Sequence, residues 1–386
     1  MRVTGVDVKF AAPGRRCWVF VKVTTDEGIH GWGEVGVEGK ELSVAAAVKD
    51  LARYLVGKDP FRIEEHWHQM YRGAYWVGGP VLNSAISGIE HALWDIKGKA
   101  LKLPVWEMIG GKVHDRVRAY ANGWFRDPAT GHTARTPKEF ARYAESAVKR
   151  GYGALKWDPF GGAGLFIEQD DADLAIEIVR EVRNAVGPRI DLLIEVHGRL
   201  SPANAIRIGH RLEEFNPFFY EEPVPPDNVD AMALVARSVK IPVATGERLF
   251  TRWGFKDLIQ QQAAAIIQPD ICHDGGIMET KKIAAMAEIY YIGLAPHNPN
   301  GPISTAASVQ VDCTTPNFLI QEYIITDEPL YTDIQQEPYR VVDGYFEIPN
   351  RPGLGIELNE SLLKDEPPTF HDMYEMVSSA RKFRRD

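Results

Sequence analysis

Three short apolar runs in the middle of the chain each end on a carboxylate. Leu192-Leu193-Ile194 leads into Glu195, Phe218-Phe219-Tyr220 into Glu221, and Val243-Ala244-Thr245-Gly246 into Glu247. The step from one carboxylate to the next is 26 residues both times, which fits the roughly 25–30 residues of a strand, a helix and two loops. A single glutamate at a strand end is ordinarily a solvated loop residue or an ion-pair partner. Three in one register converge on the same end of a parallel sheet, and in a (β/α) barrel that end carries the chemistry. Three converging carboxylates are hard oxygen ligands suited to Mg²⁺, with coordination positions left for water and substrate. The register continues: Asp270 follows Glu247 by 23 residues, His297 follows by 27 more, and Glu322 by another 25.

The elements that must position these groups form a parallel barrel. Continuous apolar strands covered on both faces by helices explain the runs. Upstream strands are expected at Val117–Tyr120, ending in Asn122, and at Gly153–Lys156. Helices are expected from Pro137 to Arg150, capped by Thr136, and at Asp171–Val186, Pro202–Phe215, Val229–Val239, Phe255–Gln261 and Thr280–Ile289. The Gly161-Gly162-Ala163-Gly164 cluster lacks the order of a dinucleotide fingerprint and reads as a loop. Residues 1–112 read differently. A meander of three strands (Val3–Phe10, Cys17–Thr24, Ile29–Gly33), turned at Pro13-Gly14 and Asp26-Glu27-Gly28, precedes helices at 42–55, 63–71 and 82–101. On the last helix His91 and Trp94 are expected to be packed structure. Three parts follow: an α+β domain at 1–112, a barrel at 113–330, and a proline-rich segment at 331–386 with a strand at Tyr345–Pro349.

At these residues the chain resembles the enolase superfamily in its mandelate racemase-like branch. The wording is most similar to sugar-acid dehydratases of the gluconate and galactonate type, in Tyr120–Trp124, Ala154–Phe160, Glu195-Val196-His197-Gly198-Arg199 and Gly246-Glu247-Arg248-Leu249. The resemblance implies a (β/α)7β TIM-type barrel with an N-terminal α+β capping domain, to which the last segment returns. It implies that Glu195, Glu221 and Glu247 hold Mg²⁺, that Asp270 and His297 form a dyad, and that Glu322 is the last-strand acid. It also places the loops at Gly36–Gly39 and Tyr75–Pro80 over the mouth, so Trp76 is expected to touch substrate. Asn122 and Asp158 are expected there too.

Removing a proton beside a carboxylate builds an enediolate, whose charge a divalent cation stabilises. His297 suits the base, since a carboxylate partner orients a histidine and raises its basicity. His197, two residues past Glu195, is expected to protonate the departing 3-hydroxyl, or otherwise to support the metal site. Lys156 is expected on the substrate carboxylate. Glu322 either donates to the enediolate when protonated or positions His197 or the substrate when ionised. Two departures from the family stand out. Many relatives carry Lys-x-Lys where this chain has Lys156-Trp157-Asp158. Without the second lysine the face opposite His297 lacks its usual base, which argues against racemisation. Many relatives also have Asp where this chain has Glu195.

The reading is Mg²⁺-dependent loss of water from an aldonate such as D-gluconate or D-galactonate, giving a 2-keto-3-deoxy acid. The alternatives are a dehydratase for an aldarate, mannonate or pentonate, and a non-catalytic sugar-acid-binding protein. A net charge of −9 with no basic stripe argues against nucleic acid. No run of about eighteen apolar residues spans a membrane. Cys17, Cys272 and Cys313 lack metal or redox spacing and read as reduced thiols of a cytoplasmic protein. The resemblance implies a symmetric homo-oligomer, often an octamer.

Overall fold

Strands β1 (Val3–Ala11), β2 (Trp18–Thr25) and β3 (His30–Val35) form an antiparallel sheet in that order. Against it pack α1 (Glu41–Leu51) and α3 (Pro80–Leu101), with α2 (Ile63–Arg72) lying on α3 and a short α4 (Val105–Met108) following. Helix α3 lies so close to β3 that only glycine fits between them. A Cβ on Gly33 would stand 1.7 Å from the Gly88 carbonyl oxygen, and one on Gly31 would stand 2.0 Å from that of Ala92. This computed structural model describes residues 1–14, 16–127, 130–369 and 383–385, so part of the expected C-terminal segment, at 370–382 and 386, lies outside the described residues.

The barrel begins at β4 (Val117–Asn122), followed by α5 (Pro137–Lys149), β5 (Ala154–Trp157), α6 (Gln169–Val186), β6 (Asp191–Glu195) and α7 (Pro202–Leu212). It continues through β7 (Phe219–Glu221), α8 (Val229–Ser238), β8 (Val243–Thr245), α9 (Thr251–Gln260), β9 (Ile266–Ile267), α10 (Ile277–Glu288), β10 (Gly293–Leu294), α11 (Pro302–Asp312) and β11 (Gln321–Ile324). Neighbouring strands pair in parallel and β11 returns to β4. A bridge from Leu294 to Phe318 joins β10 to the approach of β11 and closes the ring. This is the (β/α)7β barrel. Its interior is filled by Tyr120, Ala154, Leu193, Phe219, Ala244, Ile266, Ala295 and Ile320, one from each strand or its flank.

Local chemistry sets the helix starts. Thr136 and Glu139 form a reciprocal capping box at α5. Two helices begin three or four residues earlier than their apolar periodicity predicts, α9 at Thr251 rather than Phe255 and α10 at Ile277 rather than Thr280. Partners distant in sequence satisfy their first N–H groups: Glu279 accepts from Arg252 N at 2.8 Å, and Glu90 from Ile277 N at 2.8 Å.

After the barrel, β12 (Val341–Val342) and β13 (Tyr345–Phe346) form a hairpin whose second strand pairs antiparallel with β4. The strand expected at Tyr345–Pro349 is only two residues long. The chain then crosses to the N-terminal domain. Leu354 N donates to Asp95 at 2.9 Å, Glu357 meets Trp32 Nε1 at 3.2 Å and also Lys99, and Lys364 pairs with Phe10. The three cysteines are free thiols. Among the described residues no helix is long and apolar enough to cross a membrane.

Candidate active site

Glu195 and Glu221 close β6 and β7 and stand in register, and Glu247 lies two residues past β8. One oxygen from each of the three can be chosen so that all lie within 4.8 Å of one another. Glu195 and Glu221 are buried, and each keeps an Oε2 with no hydrogen-bond partner. Burial, then the charge of Glu221, pushes the Glu195 carboxyl far above the ordinary range. Buried like charges with orphaned oxygens are costly unless a cation joins them. The donor set therefore fits a divalent hard cation.

Lys156, on β5, brings a buried ammonium to this cluster. Its Nζ lies 2.8 Å from Glu221 and 3.1 Å from Glu322. Burial opposes its charge, but Glu221 and Glu322 hold its pKa well above the usual lysine value. In this structure Lys156 is thus committed to the carboxylates. Glu322, on β11, accepts from Asn122 Nδ2 at 2.7 Å and from Asn298 N at 2.9 Å. Burial would raise its pKa, yet Lys156 and His297 keep it ionised well below the normal range.

Asp270 and His297 follow β9 and β10 and are joined by a parallel bridge. His297 Nδ1 is bonded to Asp270 Oδ2 at 2.8 Å, and its Nε2 lies 3.5 Å from Glu247. Asp270 is completely buried and also accepts from Asn300 Nδ2 at 3.0 Å and Cys272 N at 2.8 Å. Burial disfavours the imidazolium, but Glu247 and the Asp270 hydrogen bond carry His297 up to about 10.

The second histidine has a partner that its sequence position does not reveal. His197 adopts φ 53° and Gly198 φ 62°, a left-handed turn that swings the loop after β6 back toward β5. His197 Nδ1 then meets Asp158 Oδ2 at 2.8 Å. Arg199 binds the same Asp158 oxygen and the Gly161 carbonyl, and its Nε donates to Val196 O at 2.8 Å. Asp158, expected to touch substrate, lines the cavity over the site, and its carboxylate also holds a histidine and an arginine. Arg199 lies inside a motif singled out in sequence, but nothing there marks its role.

A cavity of about 710 Å³ opens over these groups and is lined by Asn122, Lys156, Asp158, His197, Glu247 and His297 among others. The N-terminal domain contributes Arg16 and Glu38 to its wall. Arg16, which carries no signal in the sequence, pairs with Glu38 at 3.6 Å and donates to the Pro299 carbonyl. Trp76 is not brought to this site. Gly78 and Gly79, both at positive φ, lead straight into α3 and leave Trp76 81% exposed and outside the cavity wall.

Residues 3–110 match the mandelate racemase/muconate lactonizing enzyme N-terminal domain family, and residues 139–362 the enolase C-terminal domain-like family. A D-galactonate dehydratase of Xanthomonas campestris pv. campestris is 42% identical over 96% of this chain and 97% of its own. One from Pectobacterium atrosepticum is 39% identical over 94% of each. The crystal structure of a putative dehydratase from Mesorhizobium loti superposes with a TM-score of 0.88 at 41% identity, covering 94% of this chain and 97% of that one. The carboxylate triad at successive strand ends and these two domain matches together make the chain a member of the enolase superfamily, in its mandelate racemase/muconate lactonizing enzyme branch.

Proposed function

We propose that the protein dehydrates an aldonic acid of the D-galactonate or D-gluconate type to a 2-keto-3-deoxy acid, with Mg²⁺ held by Glu195, Glu221 and Glu247. Sugar-acid dehydration is supported by relatives named D-galactonate dehydratase at about 40% identity over nearly the full chain. The observation that carries the mechanism is a pair of Asp–His couples flanking the carboxylate triad in strand order. Asp158–His197 lies on the β5 and β6 side, and Asp270–His297 on the β9 and β10 side.

The couples differ in exposure. The His297 side chain is 16% exposed and the His197 side chain 53%. A base that removes a weakly acidic proton gains from a dry setting, where its partner's charge is felt strongly. An acid that must be recharged each turnover gains from water access. His297 Nε2 therefore takes the C2 proton. The electron pair moves into the substrate carboxylate, then returns to form the C2–C3 double bond as the C3–O bond breaks. His197 gives its proton to the departing hydroxyl, which leaves as water, and the enol becomes the 2-keto acid by protonation at C3 and loss of the C2 hydroxyl proton. Mg²⁺, when bound, supplies Lewis-acid stabilisation of the charge that builds on the substrate carboxylate. Glu247, the carboxylate that does most to keep His297 protonated, would be partly neutralised on holding the cation, which would leave the ring freer to act as base. Ionised Glu322 and Lys156 orient this acidic wall, and Asn122 holds Glu322.

The test is a panel of acid sugars, D-galactonate and D-gluconate included, incubated with protein and Mg²⁺ and assayed for keto acid. Deuterium uptake at C2 is followed by NMR in His297→Asn and His197→Asn. The expected pattern is loss of dehydration and exchange in His297→Asn, and loss of dehydration alone in His197→Asn. No keto acid from any sugar would leave a binding protein on this scaffold. Exchange that persists in His297→Asn and vanishes in His197→Asn would reverse the two roles.

A further inference from the structure

Polar side chains of the N-terminal domain reach the loops that follow β9 and β10. Glu34 on β3 is 1% exposed and sits across the start of α11, accepting from Gly301 N at 2.6 Å and Ser304 N at 2.9 Å. Glu90 on α3 sits in the same way across the start of α10, accepting from Ile277 N at 2.8 Å and Met278 N at 3.0 Å. These are the helices that follow His297 and Asp270 in the chain. Both recipient turns carry glycine where the carboxylate arrives. A Cβ on Gly301 would stand 2.6 Å from Glu34 Oε1, and one on Gly276 would stand 2.4 Å from Glu90 Oε2.

Helix α3 adds three more contacts from one face, since residues three and four apart are neighbours on a helix. Ser84 Oγ meets His273 Nδ1 at 2.9 Å, Ser87 Oγ accepts from Gly275 N at 3.0 Å, and His91 Nε2 lies 3.1 Å from the Ile271 carbonyl. His273 in turn stands 3.5 Å from Asp270. The loop from Asp270 to Gly276 is thus held along its length by the other domain. The loop from His297 to Gly301 is held by Arg16 at Pro299, by Glu34 at Gly301, and by Asn300 on Asp270. The two domains share one apolar core here, which includes Ile89 and Trp32 together with Ile271, Ile277 and Ile303.

We propose that Glu34 and the α3 residues Ser84, Ser87, Glu90 and His91 are positioning residues for the acid–base dyad, each fixing a loop that carries Asp270 or His297. This rests on the assignment of His297 as the base. Each glutamate spends both oxygens on backbone N–H groups that have no partner inside their helix. Burial raises both carboxyls to about 8 even though those N–H donors pull the other way. Such a group is expensive to bury, and the return it gives is the placement of the loop.

Glu34→Gln and Glu90→Gln test this. Glutamine has the same shape but only one acceptor, so its NH₂ must face an N–H. Each variant is assayed for kcat, KM and C2-proton exchange below its melting temperature, beside His297→Asn and a destabilised comparison, Val48→Ala in the core of the N-terminal domain. Misplacing a reacting group by about 1 Å can cost about a hundredfold, so kcat and exchange are expected to fall together by about ten- to a hundredfold with KM little changed. Val48→Ala should keep kcat. If both glutamine variants match the parent while His297→Asn is dead, the positioning role is wrong and the base assignment stands. If Val48→Ala loses kcat as much as they do, the effect is general loosening and the positioning role is again wrong. If His297→Asn exchanges normally, the base assignment itself fails.

Discussion

Replacing Asp158 by Asn separates the two halves of the reaction. The Asp158 carboxylate accepts from His197, Arg199 and, at 2.8 Å, Phe160 N. Asparagine keeps one acceptor but turns an NH₂ toward a partner that is itself a donor. A hydrogen bond to a charged group contributes about 1.5–3 kcal/mol to the state it favours. His197 is half exposed, so water screens the pair and the low end applies. About 1.5 kcal/mol corresponds to about a tenfold change. Dehydration by Asp158→Asn is therefore expected to fall about tenfold, which is less than a general acid or base typically contributes, about 10²–10⁴. Exchange of the C2 proton should stay at the parent level, because the Asp270–His297 couple lies across the triad. Keto-acid formation and C2 deuterium uptake, measured on the same sample by NMR, decide it. If exchange drops as far as dehydration, Asp158 supports the whole site rather than His197. If neither changes, the couple is scaffold.

Two further outcomes follow from the charge arrangement. Glu221→Gln removes one of three converging ligands, so calorimetric Mg²⁺ binding should weaken sharply and turnover disappear, and full turnover in excess chelator would refute the metal reading. Glu357 ties the C-terminal segment to the N-terminal domain. Burial alone would raise its pKa, but the His30 hydrogen bond and Lys99 hold it at about 2, below the ordinary 4.5. A depressed carboxyl gives stability that is present above the unfolded value and lost as pH falls toward the folded one. The melting temperature of the parent should thus fall between about pH 4.5 and 2 more steeply than that of Glu357→Gln, and parallel curves would refute the link.

What could be read in the sequence was whatever a strand period fixes. A barrel strand ends its side-chain alternation at the mouth, so Glu195, Glu221, Asp270, His297 and Glu322 fall at predictable intervals, and the apolar runs reveal the strands that carry them. What could not be read depends on loops that fold back. Asp158, His197 and Arg199 meet only because His197 and Gly198 take left-handed conformations. A histidine gives little warning of that backbone choice. Lys156 is expected on the substrate carboxylate, and nothing in its strand shows the further contacts its ammonium makes with Glu221 and Glu322. Helix starts were missed where the capping group belongs to another element, as with Glu90 at α10, since apolar periodicity reports only the buried face.

The same foldback changes what the missing lysine means. Asp158 in place of a lysine reads as a face without a base, and on that ground the sequence argues against racemisation. The structure puts His197 there with a carboxylate partner, so a proton carrier stands on both sides of the triad and that ground is lost. The asymmetry between the couples replaces it. Asp158 shares one oxygen between His197 and the permanently charged Arg199, so only part of its charge serves the ring. The nearest donors to Asp270 besides His297 are the neutral Asn300 amide and a backbone N–H, with His273 farther off at 3.5 Å. A racemase needs comparable basicity on both faces, because either face must take the proton in one direction of the reaction. An elimination needs one strong base and one well-hydrated acid. The buried couple at His297, whose carboxylate carries no arginine, and the exposed couple at His197, whose carboxylate is shared with Arg199, are suited to elimination.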